Sequence, residues 1–301
     1  MRLLRFTTPP VCILFKILIG SIISVARGDH HPLNDTLPIH RHHGVANTAF
    51  AQAVAYTYKV ASQPIHRLVK PKPFTLEEWR SRTTGGLFDR DRVKLAEIYS
   101  NANSVFEYGL GESTDIAGHV GVPRYMGVDS DSTYVRDVRD RSPSHFRFYF
   151  ADVGQTDAWG HPTNPNLKKT YFDYQVAPLM LERKPFDVYM IDGRWRIACA
   201  LLSFLHASAH NAILRHTKVL IHDYYSPIWT VKTVQQQVCG RKKEKGCDKN
   251  GRRKGRDYTI VEQVANLVDH SGAWLAVFQR KNETSDDDIY ALYQKVMNHT
   301  M

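Results

Sequence analysis

SVFEYGLGESTDIAGHVGVPRYMGVDSD, residues 104–131, reads as strand, glycine-rich turn, helix, second strand and acidic residue. Val105 and Phe106 end a short apolar run, Glu107 stands at the strand tip, and Gly109 and Gly111 follow at alternate positions. Glycine suits a turn whose backbone N–H groups approach a ligand, because a Cβ would stand in the way. Ser113 and Thr114 can cap the helix that follows. MGVD then closes a strand on Asp129. An acidic side chain about 20 residues past such a turn is placed to accept hydrogen bonds from ribose hydroxyls. The pattern predicts a nucleotide-like ligand at the turn.

Working outward, strands and helices alternate, which predicts an α/β fold: a doubly wound, mostly parallel sheet of about seven strands with a helical N-terminal extension. The expected strands are SVFEYG, RYMGVD, FRFYFAD, FDVYMID, KVLIHDY, YTIVEQV and AWLAVFQR, the last two forming an antiparallel hairpin. Ahead of them, Thr75 is expected to cap one helix (LEEWRSR) and Asp89 another (RDRVKLAEIYS). Glu107, Asp129, Asp152, Asp192 and Asp223 each end one of five consecutive strands. Burial confines charge to strand ends, but it does not explain why all five are acidic. In a parallel sheet those ends share one rim, where ligands bind.

FEYGLGEST, GVDSD, FADVG and DVYMIDGRWR, in that order, resemble the motifs of the class I S-adenosylmethionine-dependent methyltransferases, over roughly residues 93–280. The resemblance implies a Rossmann-like fold and S-adenosylmethionine as cofactor. It implies that Glu107 orients the cofactor's amino-acid end and that Gly109, Gly111 and Ser113 form the turn against it. By the same resemblance Asp129 holds the ribose, Asp152 and Val153 flank adenine, and Asp192 faces the methyl-donor side. An acidic rim also suits a cationic sulfonium. Thr114 stands where a dinucleotide-type turn has its third glycine, which disfavours a pyrophosphate cofactor. YGLGES, MID and LIHD are more loosely similar to plant-type Golgi polysaccharide O-methyltransferases, which methylate glucuronic acid of xylan. IDGRWRIA departs from that narrower pattern, and lipid, small-molecule and protein acceptors stay open.

For the chemistry, His222 is the expected general base, because imidazole titrates near neutral pH; a hydrogen-bonded strand-tip histidine is the alternative. Asp192 and Asp223 are expected at its side, or holding a divalent metal that lowers a hydroxyl's pKa. Arg194 and Arg196 emerge at the rim, where guanidinium forks bind carboxylates such as those of an acidic sugar; the alternative pairs them with Asp152, Asp223 or a helix partner. Trp159 and Tyr171, with Phe172 and Tyr174, lie in a polar aromatic loop that can stack on a sugar or pack locally.

The remaining signals concern address and partners. Arg2 and Arg5 precede an apolar run, Val11–Ala26, so residues 1–26 read as a signal peptide or a signal anchor in the membrane. Residues 27–73 read as a stem and linker with one short helix, and residues 74–301 as the catalytic domain. Sequons at Asn34, Asn282 and Asn298 accord with a secretory-pathway address, Golgi or ER lumen, or with secretion. Four cysteines are too few for a disulfide framework; Cys199 reads as core, and Cys239 and Cys247 can pair in an oxidising lumen. The formal net charge is +10, and residues 239–256 hold nine basic residues against two acidic ones. That insertion fits an anionic polymer or membrane surface, or simply a solvated loop. No helix or sheet of known nucleic-acid-reading pattern accompanies it. The expected function is methylation of an oxygen on a glycan, an acidic one foremost, or on a small-molecule acceptor. A non-catalytic binding protein of the same fold and a nucleotide-sugar enzyme are the alternatives.

Overall fold

The structure, a computed structural model, describes residues 70–81, 86–157, 162–164, 170–210, 212, 216–224 and 258–298. The signal segment, nearly all of the stem, Asn34, Trp159, Cys239, Cys247 and the basic insertion lie outside the described residues. Among the described residues no helix is long and apolar enough to cross a membrane.

Two helices, α1 (Leu76–Arg80) and α2 (Asp89–Ser100), lead into the sheet. Then follow β1 (Ser104–Tyr108), α3 (Glu112–His119), β2 (Arg124–Asp129), α4 (Ser132–Arg141) and β3 (Arg147–Phe150). The chain continues through α5 (Thr170–Gln175), α6 (Ala177–Met180), β4 (Val188–Ile191), α7 (Arg196–Ala209) and β5 (Lys218–Ile221). A 3₁₀ turn (Tyr258–Gln263), β6 (Ala265–Asp269), β7 (Ala276–Arg280) and α8 (Asp286–Val296) complete it.

The seven strands form one sheet in the order β3-β2-β1-β4-β5-β7-β6, parallel except where β7 runs antiparallel to both β5 and β6. This is the doubly wound, Rossmann-like arrangement expected from the alternation of elements. Two details differ. YTIVEQV is a 3₁₀ turn, not a strand, and the sixth strand is the following ANLVD. The hairpin also folds back, so that β7, the later strand, sits inside and β6 takes the edge. The apolar content explains it: Ala276, Val277 and Phe278 are buried, whereas ANLVD alternates buried and exposed residues as an edge strand does.

Period-two alternation sorts the strand residues into two cores. Phe106, Tyr108, Tyr189, Ile191, Val219 and Ile221 face α7 and α8. Val105, Tyr125, Val188, Met190 and Leu220 face α2 and α3. Helix α7 is buried along almost its whole length because its sequence is apolar all round. Thr75 caps α1 through its side chain as expected, but Phe88 is the N-cap of α2 and Asp89 is its first residue. Asp89 there pairs with Arg80 and Arg92.

Candidate functional site

The chain leaves β1 through a turn wedged between the exits of β2 and β4. Gly109 N–H donates to Val128 O at 2.8 Å, and Asp192 N–H donates to Tyr108 O at 2.8 Å. Gly109 has φ +85°, and a Cβ there would stand 2.6 Å from Gly193 Cα and N. On Gly193, in turn, a Cβ would run into the Tyr174 hydroxyl. Glycines at both exits let β1 and β4 touch through backbone alone. With β2 and β3 on one side and β4 and β5 on the other, this is the topological switch point of the sheet. Gly111 is different: its backbone is extended, and only the Tyr134 hydroxyl, at 3.9 Å, lies within reach of an added Cβ. The protein itself does not require a glycine there, so the position is an open side of the turn.

Asp129 closes this turn from β2. Its Oδ2 accepts Leu110 N–H at 2.9 Å, and its Oδ1 accepts Ser130 N–H at 2.6 Å and Asp131 N–H at 3.1 Å. A carboxylate has about four acceptor sites, so one lone pair on Oδ2 remains for a ligand. Burial raises its pKa, while the amides of Leu110, Asp131 and Ser130 oppose the rise. Exposed aromatic rings border it: Phe150 is its register partner on β3, and Tyr134 stands in the first turn of α4.

Glu107 does not reach the rim. It alternates with Val105 and points into the α2–α3 side, fully buried. Ser113 and Tyr125 donate hydroxyl hydrogen bonds to it, as does Thr114 at 3.0 Å. Thr114 Oγ1 also accepts Gly111 N–H at 3.1 Å, so Thr114 caps the helix and Ser113 does not. Both Glu107 and Ser113 therefore brace the turn from beneath. Burial pushes the Glu107 pKa up to about 8, against the three hydroxyls. A folded pKa above the unfolded value gives stability that is complete below about 4.5 and lost as pH rises through about 8. Glu107→Gln therefore gains stability over the wild-type chain as pH rises across that window, by up to roughly 5 kcal/mol. Melting temperatures of both proteins at pH 5 to 9 check this; a constant difference would contradict it.

At the ends of β4 and β5, Asp192, His222 and Asp223 meet, with ligand-type atoms within 4.8 Å of one another. His222 Nδ1 lies 3.2 Å from Asp192 Oδ1 and 3.7 Å from Asp223 Oδ1, and its Nε2 faces Asp91 Oδ2 at 3.6 Å. Burial alone would lower its pKa, but these carboxylates, Asp192 first, raise it to about 10. The direction of that shift and the Asp192 contact favour the alternative, a hydrogen-bonded strand-tip histidine, over the expected general base. Burial likewise pushes Asp192 up, but the charges of His222 and Arg196 outweigh it and hold the carboxyl below the usual range. Asp192 keeps a quarter of its side chain exposed. Trp195 and Asp223 have φ +49° and +56°, so left-handed backbone flanks the cluster on both strands.

Arg196 is not available to substrate. It is 5% exposed, and its donors are consumed by the cluster. Arg194 is half-buried beside it, with its N–H on the Tyr174 hydroxyl at 3.2 Å. Asp152 lies two residues beyond β3, exposed, and accepts Gly154 N–H at 3.0 Å. Val153 is fully buried in the core that faces α7. Tyr171 is half-buried against that same core, so its ring packs locally. Asn282 and Asn298 are both exposed, and Cys199 is buried.

Three features were not read from the sequence. Asp91, on α2, is completely buried and collects the N–H groups of Ala273, Trp274 and Leu275 while facing His222. Glu112, beside Gly111, binds Trp79 Nε1 at 2.7 Å, Leu87 N–H at 3.2 Å and Arg92 Nε at 2.6 Å. It thereby clamps α1 and α2 onto the glycine turn. Phe88, 44% exposed, packs its ring 5.2 Å from that of Trp274, one link beyond Asp91. None has a local signature, because each depends on partners far along the chain.

The chain matches no family model, and no curated protein matches it. Among solved structures it is similar to a methyltransferase-like protein from Silicibacter pomeroyi, at 20% identity and a TM-score of 0.47, covering 77% of this chain and 99% of that one.

Proposed function

We propose that this chain is an S-adenosylmethionine-dependent methyltransferase that acts on an oxygen of its acceptor. One observation carries the reading: Gly109, Asp129 and Asp192 converge on a single rim, bonded to one another's strands, with an open turn position at Gly111. The remaining acceptor site on Asp129 suits a ribose hydroxyl, and the exposed Asp192 edge suits a positive sulfonium. S-adenosylmethionine, when bound, supplies an activated methyl group. The protein's own work is then to hold donor and acceptor in line and to keep water out. The N–H groups of Gly109, Leu110 and Gly111 are spent on Val128, Asp129 and Thr114, so Asp129 is the group that orients the ligand, and Asp192 stays ionised because His222 and Arg196 flank it. With His222 Nδ1 engaged by Asp192, an acceptor that is itself an anion, or a hydroxyl sharing its proton with Asp192, is the better match.

The acceptor we propose is an acidic glycan, with a small molecule as the second reading. The chain's net charge of +10 favours an anion, and the basic run 239–256 falls between Tyr224 and Tyr258, whose rings stack 6.2 Å apart beside the β5 exit. Arg194 is the residue proposed to meet the acceptor's carboxylate. We propose a secretory-pathway location, signal-anchored or secreted, from the N-terminal segment and the sequons. Incubation of the full chain with methyl-labelled donor and an acidic polysaccharide, a neutral one and a small-molecule pool tests both parts. Label on the acidic polymer supports the full reading. Donor binding without transfer to any acceptor favours a binding protein, and sugar-nucleotide binding in its place overturns the donor assignment.

A further inference from the structure

The Asp192–His222–Asp223 cluster has the composition of a divalent-metal site, and the fold places it beside the proposed donor rim. The residues present do not fit a metal. Arg196, from the first turn of α7, already occupies the place between the two carboxylates. Its NH2 is 3.0 Å from Asp192 Oδ1 and its NH1 is 3.1 Å from Asp223 Oδ2. The same guanidinium donates from Nε to Gly193 O at 3.0 Å, from NH2 to Asp192 O at 3.4 Å, and from NH1 to His222 O. Five N–H groups thus face five acceptors, which is the whole capacity of a guanidinium. On His222, Nδ1 already meets Asp192 Oδ1 at 3.2 Å, and Nε2 is turned to the other side, 3.6 Å from the buried Asp91.

We propose that Arg196 is a built-in cation that stands in for a metal: it ties the exits of β4 and β5 together and sets the positions of Asp192 and Asp223. A divalent ion bound by those carboxylates needs oxygens at about 2.0–2.6 Å, and would sit against a fixed positive charge. The arginine's planar fork spans two carboxylates and three carbonyls at once, which lysine's point charge does not. The inference does not depend on methyl transfer, so it stands or falls separately from the proposed function.

The test is a Mn²⁺ titration of the full chain, followed by electron paramagnetic resonance, with no donor present. The wild-type protein is expected to bind no Mn²⁺ at the cluster, with titration curves unchanged in Asp192→Asn and Asp223→Asn. Arg196→Ala is expected to bind one Mn²⁺ at least tenfold more tightly than wild type, and adding Asp223→Asn to it is expected to abolish that binding. A role in packing alone would not move this readout. One Mn²⁺ on the wild-type chain, lost in Asp192→Asn and Asp223→Asn, overturns the proposal, as does a folded Arg196→Ala that binds no better than wild type. If Arg196→Ala fails to fold, Arg196→Lys and the wild-type titration still decide it: Mn²⁺ held through Asp192 and Asp223 in the wild-type chain, or Arg196→Lys binding no better than wild type, counts against the built-in cation, and tighter binding in Arg196→Lys alone supports it.

Discussion

Gly109→Ala is expected to destabilise the chain by roughly 4 kcal/mol and to abolish ligand binding in whatever fraction stays folded. Two costs combine. The backbone at φ +85° lies where a residue with a side chain is strained, on the order of 1–3 kcal/mol. The new Cβ would also stand 2.6 Å from Gly193 Cα and N and 2.7 Å from Asp192 C, and these are backbone atoms with no rotamer to retreat to. Overpacking of that kind costs typically 1–3 kcal/mol more. Relief requires β1 and β4 to part at their carboxyl ends, which moves Asp192 away from Asp129. Chemical denaturation of the variant measures the loss. A stability within 1 kcal/mol of wild type (well inside the ~4 kcal/mol expected from these terms) would show that the two exits are not packed as described.

Asp129→Ala is expected to weaken donor binding by about 100-fold or more. The carboxylate contributes twice, by holding the Leu110 amide in the turn and by offering its remaining acceptor site to the ligand. Hydrogen bonds to a charged group are worth about 1.5–3 kcal/mol each, and two of them correspond to at least two decades of affinity. Calorimetric titration with S-adenosylhomocysteine compares variant and wild type, with circular dichroism to confirm that the sheet persists. Equal affinity would remove Asp129 from the ligand site.

The division between what the sequence shows and what it hides follows the range of the interactions. The β1–turn–β2 unit is legible because its signals are local: an apolar run, glycines at alternate positions, then an acid after a second apolar run. The strand-tip reading succeeds for Asp129, Asp192 and Asp223 for the same reason. It misplaces Glu107, which lies within the expected strand SVFEYG and shares the buried α2–α3 face with Val105, one residue short of the exit at Tyr108. The alternation Val105–Glu107 already contained that information. YTIVEQV looks like a strand because β-branched residues favour one, yet neighbouring packing folds it as a 3₁₀ turn, and the less apolar ANLVD takes the edge. His222 was read at its ordinary pKa. What raises it is Asp192 first, and then Asp91, 131 positions earlier in the chain, which only the docking of α2 against the 273–275 amides brings near. Arg196 shows the same limit. Its spacing four residues from Asp192 is readable, but that its NH1 reaches His222 O and Asp223 at the β5 exit is not.

The central claim is that three strand exits form one adenosine seat. Amide chemical shifts of the isotope-labelled chain, followed while S-adenosylhomocysteine is added, test it most directly. The account predicts that Gly109–Gly111, Asp129–Ser130 and Asp192–Gly193 shift together along a single saturating curve. Shifts at only one of the three exits, or none at millimolar ligand (roughly the weak end of specific affinity), would contradict it.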